Sequence, residues 1–205
     1  MERGNTKQEI LNAALDLFSV RGYEGTSLSM IAEAVGIRKA SLYSHFENKQ
    51  AILDALVEQV LSQYNRRSLF ARTDWDDSAQ SEGQEPLTAE RVADLVRRQV
   101  CFVLHDPHVS KARKMLCIEQ FQNQELARLL TRQNYTDVMR YFSGLMRLLI
   151  RQGVLAGEDP EIMAAQFCLP VSVWMDLCGR EPEREPEVME LIEKHTQQFF
   201  RAWRA

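Results

Sequence analysis

The stretch "GIRKASLYSHFENKQAI", residues 36–52, decides the fold of the N-terminal part of this chain. Leu42 and Phe46 are four residues apart in it, so a short helix over about 39–46 turns both to one side. We expect that apolar side to be buried in a core. The remaining side of the helix then carries basic, hydroxyl and imidazole groups: Arg38, Lys39, Ser41, Tyr43 and His45.

The residues before this stretch predict two more helices. Apolar residues at helical spacing over 10–18 indicate a first helix, with Asn5 or Thr6 as its N-cap and Gly22 at its end. Ser27 is a suitable N-cap for a short second helix, which Gly36 ends. A short helix, a glycine-centred turn and a second short helix form the plan of a helix-turn-helix, whose second short helix enters the DNA major groove.

The exposed side of the third helix has chemistry that suits DNA. Arg38 and Lys39 can reach phosphates or guanine edges, Ser41 can meet a phosphate or a base, and Tyr43 and His45 can donate to backbone oxygens. Structural roles stay open for the same residues. The two basic residues can form an ordinary solvated face, Tyr43 can pack on the first helix, and His45 can bond a backbone carbonyl.

A fourth helix follows directly. Asn48 is its predicted N-cap, and an apolar stripe over 52–64 continues for at least four turns. Lys49 stands at the start of this helix, where free backbone amides and the helix dipole favour an anion. We expect Lys49 to hold a DNA phosphate and the helix to connect two bodies.

Beyond this helix the sequence predicts a larger helical body. Residues 72–87 are rich in acids, Ser and Gln and indicate a flexible loop, and Thr88 caps the next helix. The apolar pattern continues through residue 203 without strand alternation, although "GREPEREPE", residues 179–187, indicates a proline-punctuated loop. The prediction is an all-α chain of about nine helices. It has a three-helix helix-turn-helix domain over 1–48 and a C-terminal domain over 49–205.

Composition limits the class of protein. The chain has 205 residues, 45% of them hydrophobic, and a net charge of −4. Its apolar runs fall short of the roughly 18 uncharged residues that a membrane-spanning helix needs, and the first ten residues lack the apolar stretch of a secretory signal. We therefore expect a cytoplasmic globular protein with no membrane partner.

The segment "TSLSMIAEAVGIRKASLYSHFENKQAIL", residues 26–53, resembles the DNA-binding signature of the TetR/AcrR regulators. The resemblance covers about residues 6–56 and implies a non-enzymatic transcriptional regulator. One position departs from the family pattern, because Arg38 stands where a small hydroxyl residue is usual and a helix cap is lost. The positions that the resemblance turns toward DNA are Ser27, Ser29, Lys39, Ser41, Tyr43, His45 and Lys49, and Arg38 is an added candidate.

For the C-terminal body the resemblance implies a homodimer that binds a palindromic operator and a small-molecule effector, with no cofactor. The apolar pattern of the last two long helices independently favours dimerisation. Candidate interface residues are Val173, Leu177, Val188, Ile192, His195, Phe199 and Trp203. Candidate effector-pocket residues, each of which also suits an ordinary core, are Phe102, Met115, Phe121, Met139, Phe142 and Trp174.

The function predicted from the sequence is a one-component repressor that an effector releases from DNA. One alternative is a dimeric DNA-binding regulator without a ligand. A second is a helical-bundle enzyme or metal protein, suggested by His105 and His108 in "HDPH" but weakened by Pro107 between them and by the absence of a Glu-x-x-His pair. A third is a redox sensor that uses a cysteine, although the four cysteines fit reduced core thiols better: Cys101, Cys117, Cys168 and Cys178.

Overall fold

The computed structural model describes residues 3–68, 70 and 87–205, with the side chains of 3–5 left out. Helix α1 begins at Arg3, so Asn5 and Thr6 lie inside it and the predicted N-cap at either residue is wrong. The flexible loop predicted for 72–87 falls almost wholly outside the described residues.

Helices make up the regular structure of the described ranges, which confirms the all-α prediction. An isolated antiparallel bridge joins Leu155 and Arg204. The α-helices are α1 (Arg3–Arg21), α2 (Leu28–Val35), α3 (Lys39–Tyr43), α4 (Lys49–Arg67), α5 (Ala89–His105), α6 (Pro107–Glu119), α7 (Gln124–Thr131), α8 (Asp137–Arg151), α9 (Pro160–Arg180) and α10 (Glu185–Ala202).

Two short elements differ from the sequence prediction. A π-helix over Arg132–Thr136 leads into α8. The expected loop over 179–187 is instead the end of α9, a 3₁₀-helix over Pro182–Arg184 and the start of α10. Proline is tolerated in a first helical turn because its missing N–H has no partner there, so Pro182 and Pro186 begin helices where the sequence suggested a break.

The chain divides into two compact units. Unit 1 contains Met1–Arg66 and Pro107–Leu130, and unit 2 contains Arg67–Asp106 and Thr131–Ala205. Helices α4 and α6 therefore group with the first three helices. The functional boundary at residue 48 stays a prediction.

The core of unit 1 is formed by the apolar faces of α1 to α4 together with α6 and α7. Ile10 and Phe18 of α1, Ile31 of α2 and Leu42 of α3 are fully buried in it. Met115 of α6 is buried in the same core. This packing holds the two short helices, which have too few residues to be stable alone.

The core of unit 2 is rich in aromatic residues. Phe167 of α9 has no exposed surface, and its ring lies 5.2 Å from Phe142 of α8 and 5.1 Å from Phe199 of α10. Tyr141 is also buried, and its burial holds the pKa of its hydroxyl above the ordinary value. Offset and edge contacts between rings add to the stabilisation that burial provides.

Helix α9 is long and apolar enough to cross a membrane by length and composition, although its run without charged residues, 162–175, is shorter than the 18 that the sequence expectation required. Its hydropathy alone does not make it a membrane span, because core helices meet the same test. Here α9 packs against α8 and α10 within unit 2. Pro170 lies inside it.

Candidate nucleic-acid interface

Local sequence signals set the geometry of the helix-turn-helix. Ser27 caps α2, because its hydroxyl oxygen accepts a hydrogen bond from the Met30 amide at 3.2 Å. Gly36 ends α2 with a φ of 75°, a left-handed conformation that side chains with a Cβ rarely adopt. Leu42 is fully buried and Phe46 nearly so, which confirms both as core residues.

The opposite side of α3 is open to solvent. Tyr43 is 49% exposed, so about half of its side chain is open to solvent. His45 is half-buried. The exposed residues of this set, called here the α3 face, are Arg38, Lys39, Ser41 and Tyr43.

The α3 face gathers cationic and hydroxyl groups on one short helix. Ser27 and Ser29 are exposed at the start of α2. The free backbone amides of a helix start and a lysine or arginine side chain are the groups that bind phosphate in DNA complexes. The arrangement can thus hold an extended polyanion across the two helices.

Lys49 is placed differently from the prediction. Its ammonium group donates to the carbonyl oxygens of Tyr23 at 2.7 Å and Thr26 at 3.0 Å, and it lies 4.0 Å from the centre of the Tyr23 ring. These contacts tie Lys49 to the α1–α2 loop, residues 22–26. In this structure Lys49 holds that loop. Two of its three N–H donors are used there, so a phosphate contact would have to use the third. Asn48 does cap α4, because its side-chain oxygen accepts from the Ala51 amide.

Sequence reasoning missed the residues that meet Lys49 at this loop. Thr26 is buried, and its hydroxyl donates to the Gly22 carbonyl oxygen. The Tyr23 hydroxyl donates to Gln50, and burial, followed by Glu24 and other nearby acids, raises the pKa of Tyr23. The contacts of Lys49 and Gln50 with this loop join segments that are far apart in the chain, so no local spacing could have revealed them.

Replacing Arg38 by serine is expected to have opposite effects on stability and on DNA binding. Arg38 occupies the N-cap position of α3 without a side-chain cap bond, and a serine there can accept from a free amide. We expect a gain of about 1 kcal/mol in the free energy of unfolding. Affinity for DNA is expected to fall, because the α3 face loses a cation.

Urea unfolding and duplex binding of the same preparation measure the two effects. Arg91→Ser, a change of the same kind at an exposed residue in unit 2, is the control and should change neither quantity by much. A decrease in the free energy of unfolding with Arg38→Ser would contradict the view that α3 lacks a side-chain cap.

Comparison with known proteins identifies the N-terminal segment. Residues 10–56 match the family model described as bacterial regulatory proteins, tetR family. This N-terminal segment is therefore similar to the DNA-binding part of TetR-family regulators. It is also 48% identical over 52 residues to the biofilm operon icaADBC HTH-type negative transcriptional regulator IcaR of Staphylococcus aureus, a match that covers 25% of this chain and 28% of that regulator. The chain thus spans little more than a quarter of the length of the curated relatives that it matches.

The TetR-like fold extends beyond the matched segment. The SmeT–triclosan complex superposes with a TM-score of 0.63 at 20% identity, covering 98% of this chain and 92% of SmeT. The flavonoid-responsive regulator FrrA superposes with a TM-score of 0.61 at 23% identity, covering 98% of each chain. At this identity the likeness shows the fold alone. The family is one of regulatory proteins, in agreement with the expectation of a non-enzymatic chain.

The predicted effector residues are divided between the two units. Phe102, Met139, Phe142 and Trp174 belong to unit 2. Met115 is instead buried in the core of unit 1, and Phe121 is 88% exposed in that unit. These two residues therefore do not line a pocket among the unit 2 helices, because their segment folds with α1.

The predicted dimer residues also divide into two groups. Val188, Ile192 and Phe199 are buried in the core of their own unit, so they offer no surface to a partner, and their assignment to the interface is wrong. Val173 is 61% exposed. Leu177, His195 and Trp203 are half-buried, and a ring nitrogen of His195 lies 2.9 Å from the Phe167 carbonyl oxygen.

His105 and Cys168, which belong to the metal and redox alternatives, each have a structural neighbour. A ring nitrogen of His105 lies 2.7 Å from a carboxylate oxygen of Glu185, and the described ranges contain no group of three or more residues that could hold a metal ion. Cys168 is buried with its sulfur 3.6 Å from that of Met139, and burial raises the pKa of its thiol to about 12. A thiol that stays protonated at neutral pH is a poor nucleophile, which weakens the redox role for Cys168.

Proposed function

We propose that this chain is a homodimeric transcriptional regulator of the TetR family that binds double-stranded DNA through α2 and α3 and acts in the cytoplasm. The single observation that carries the proposal is the division of α3 into two sides. Leu42 has no exposed surface, whereas Arg38, Lys39, Ser41 and Tyr43 are exposed beside it. A helix that is anchored on one side and polar on the other is what docking into the major groove requires.

A second observation supports the dimer. Ile162 is 57% exposed, Leu169 is 38% exposed and Val173 is 61% exposed. Their spacing of seven and four residues places them on one side of α9, called here the α9 apolar face. Large apolar groups grouped on the surface favour association, and a second copy of the same helix is the partner that the fold suggests.

The dimer in turn predicts the form of the operator. A twofold axis between two copies repeats each α3 face, so the DNA site should be palindromic. If the two helices occupy successive major grooves on one side of the duplex, they lie roughly 34 to 36 Å apart.

We further propose that the chain represses transcription and that a small apolar molecule releases it. Repression is supported by the printed role of IcaR as a negative regulator. The effector class is supported by triclosan bound to SmeT and by the flavonoid response of FrrA. Phe102, Met139 and Trp174, all half-buried in unit 2, are the residues proposed to meet the effector, and the release would follow from unequal affinity for two arrangements of the protein.

A dimeric regulator without an effector is the second candidate. The packing of Phe142 favours it, because that residue is 4% exposed and its ring lies close to those of Phe70, Tyr141 and Phe167. A pocket residue that is already covered by neighbouring rings leaves less surface for a ligand.

The DNA proposal is tested by salt titration with a matched pair of lysine variants. The probe is a labelled duplex that the wild-type chain enriches from a random-sequence pool. Lys39→Ala removes a cation from the α3 face, whereas Lys114→Ala removes the same charge from an exposed position on α6. For Lys39→Ala, the slope of log K against log salt should become shallower by about 1.

The control should leave that slope unchanged. Affinity lost on Lys39→Ala should be similar for the selected duplex and for unrelated DNA if Lys39 meets a phosphate, because phosphate contacts carry no base sequence. Failure of the wild-type chain to enrich any duplex, or equal slopes for all three proteins, would contradict the proposal.

A further inference from the structure

The α1–α2 loop is held from two sides. On one side Lys49 of α4 donates to the carbonyl oxygens of Tyr23 and Thr26. On the other side the Tyr23 amide donates to a carboxylate oxygen of Glu119 at 2.7 Å. The loop leads directly into Ser27, the N-cap of α2. Whatever fixes this loop also fixes the start of the helix-turn-helix.

Glu119 lies in an unfavourable place for an acid. It is the last residue of α6, where the helix dipole repels a negative charge, and it is only 6% exposed. Removing a carboxylate from water is costly unless hydrogen bonds replace the lost solvation. The charge-assisted bond from the Tyr23 amide supplies such a replacement.

The backbone around this bond is shaped to receive Glu119. Gly22 has a φ of 72°, and a Cβ added to it would lie 2.9 Å from the same carboxylate oxygen of Glu119 and 3.2 Å from Ile118. The positive φ favours glycine in this turn, and a Cβ here would also crowd the Glu119 carboxylate. The Gly22 amide still closes the last turn of α1 on Phe18, so Tyr23 is the amide left for Glu119.

Helix α6 is well anchored beside the loop. Its residues Ala112, Met115 and Leu116 are buried in the core that also contains Ile10 and Phe18 of α1. An ion pair between Lys111 and Asp16 joins the same two helices. Glu119 is therefore presented to the loop from a rigid support, although it lies far outside residues 10–56, the segment that matches the family model.

We propose that Glu119 is a positioning residue for DNA binding, which acts by holding the Tyr23 amide and thereby the α1–α2 loop and the start of α2. The inference rests on the proposed function. It assigns to α6 a part in forming the DNA-binding surface. Glu119 itself contacts no DNA in this account.

The test compares Glu119→Ala with Glu119→Gln. Alanine removes the acceptor, whereas the glutamine amide oxygen can still accept from Tyr23. On a duplex enriched by the wild-type chain, we expect alanine to weaken binding about tenfold and glutamine to restore most of that loss. Glu125→Ala removes an exposed acid from the same unit and should bind like the wild type.

Two spectroscopic readouts separate positioning from general stability. The amide NMR signals of Tyr23 and of residues 27–30 should move with alanine and stay near their wild-type values with glutamine. In the wild-type chain, the Tyr23 amide should exchange slowly with deuterium. This second measurement decides the contact even if Glu119→Ala fails to fold.

The outcomes are distinguishable. A folded Glu119→Ala protein that binds the duplex like the wild type, or a glutamine variant as impaired as the alanine variant, overturns the role of Glu119. Fast exchange of the wild-type Tyr23 amide overturns it as well. A wild-type chain that enriches no duplex overturns the proposed function and with it the positioning role, even where the Tyr23 contact is present.

Discussion

Replacement of Phe167 by alanine is expected to destabilise unit 2 by about 3 to 5 kcal/mol. The side chain has no exposed surface, and its ring contacts those of Phe142, His195 and Phe199 at 5.1 to 5.5 Å. Truncation removes the burial of a whole ring and leaves a cavity that its neighbours fill only in part. The three ring contacts are lost in addition.

Urea unfolding followed by tryptophan fluorescence measures this effect. Trp174 and Trp203, two of the three tryptophans of the sequence, lie in unit 2, so their fluorescence reports on that unit. Phe121→Ala is the matched control, since it is the same substitution at a position that is 88% exposed. Its effect should stay within about 0.5 kcal/mol. Similar losses for the two variants would contradict the assigned core.

Substitution of Val173 by glutamate is expected to separate the proposed dimer into monomers. Val173 lies in the α9 apolar face, and a second copy packed there would bury the new carboxylate without a partner. A monomer holds one half-site only, so binding to the palindromic duplex should weaken by about 100-fold or more.

Light scattering after gel filtration measures the oligomeric state. The wild type should have twice the chain mass of 23.7 kDa, and Val173→Glu should approach 23.7 kDa. Val20→Glu makes the same change on α1 of unit 1, where the side chain is 78% exposed, and should remain a dimer. A dimeric Val173→Glu protein would place the interface elsewhere.

The helix-turn-helix was predictable because its signals are local. Ser27 caps α2, Gly36 ends it, Leu42 and Phe46 are buried, and Asn48 caps α4. Each of these roles depends on a few neighbouring residues whose spacing the sequence shows directly. The predicted end of α3 was wrong, because the helix ends at Tyr43, three residues earlier than the sequence indicated.

Roles that depend on distant contacts were not predictable. Lys49 stands at a helix start that suits an anion, yet Tyr23 and Thr26 supply its described acceptors. Val188 and Ile192 form an apolar stripe, but a stripe shows only that a face is covered and not whether its own chain or a second copy covers it. In this chain the cover comes from unit 2 itself.

No sequence signal predicted that α6 groups with the first four helices either. Its apolar residues have ordinary helical spacing, and the segment lies about fifty residues beyond the matched domain. Only the fold shows that Met115 joins the core of α1 and that Glu119 reaches Tyr23. The predicted pocket role of Met115 failed for this reason.

The salt dependence of duplex binding by the wild type, Lys39→Ala and Lys114→Ala tests the DNA-binding role of the α3 face most directly. The account predicts a steep slope for the wild type, a slope shallower by about 1 for Lys39→Ala, and no change for Lys114→Ala. Binding that does not vary with salt, or a slope that Lys39→Ala leaves unchanged, would contradict it.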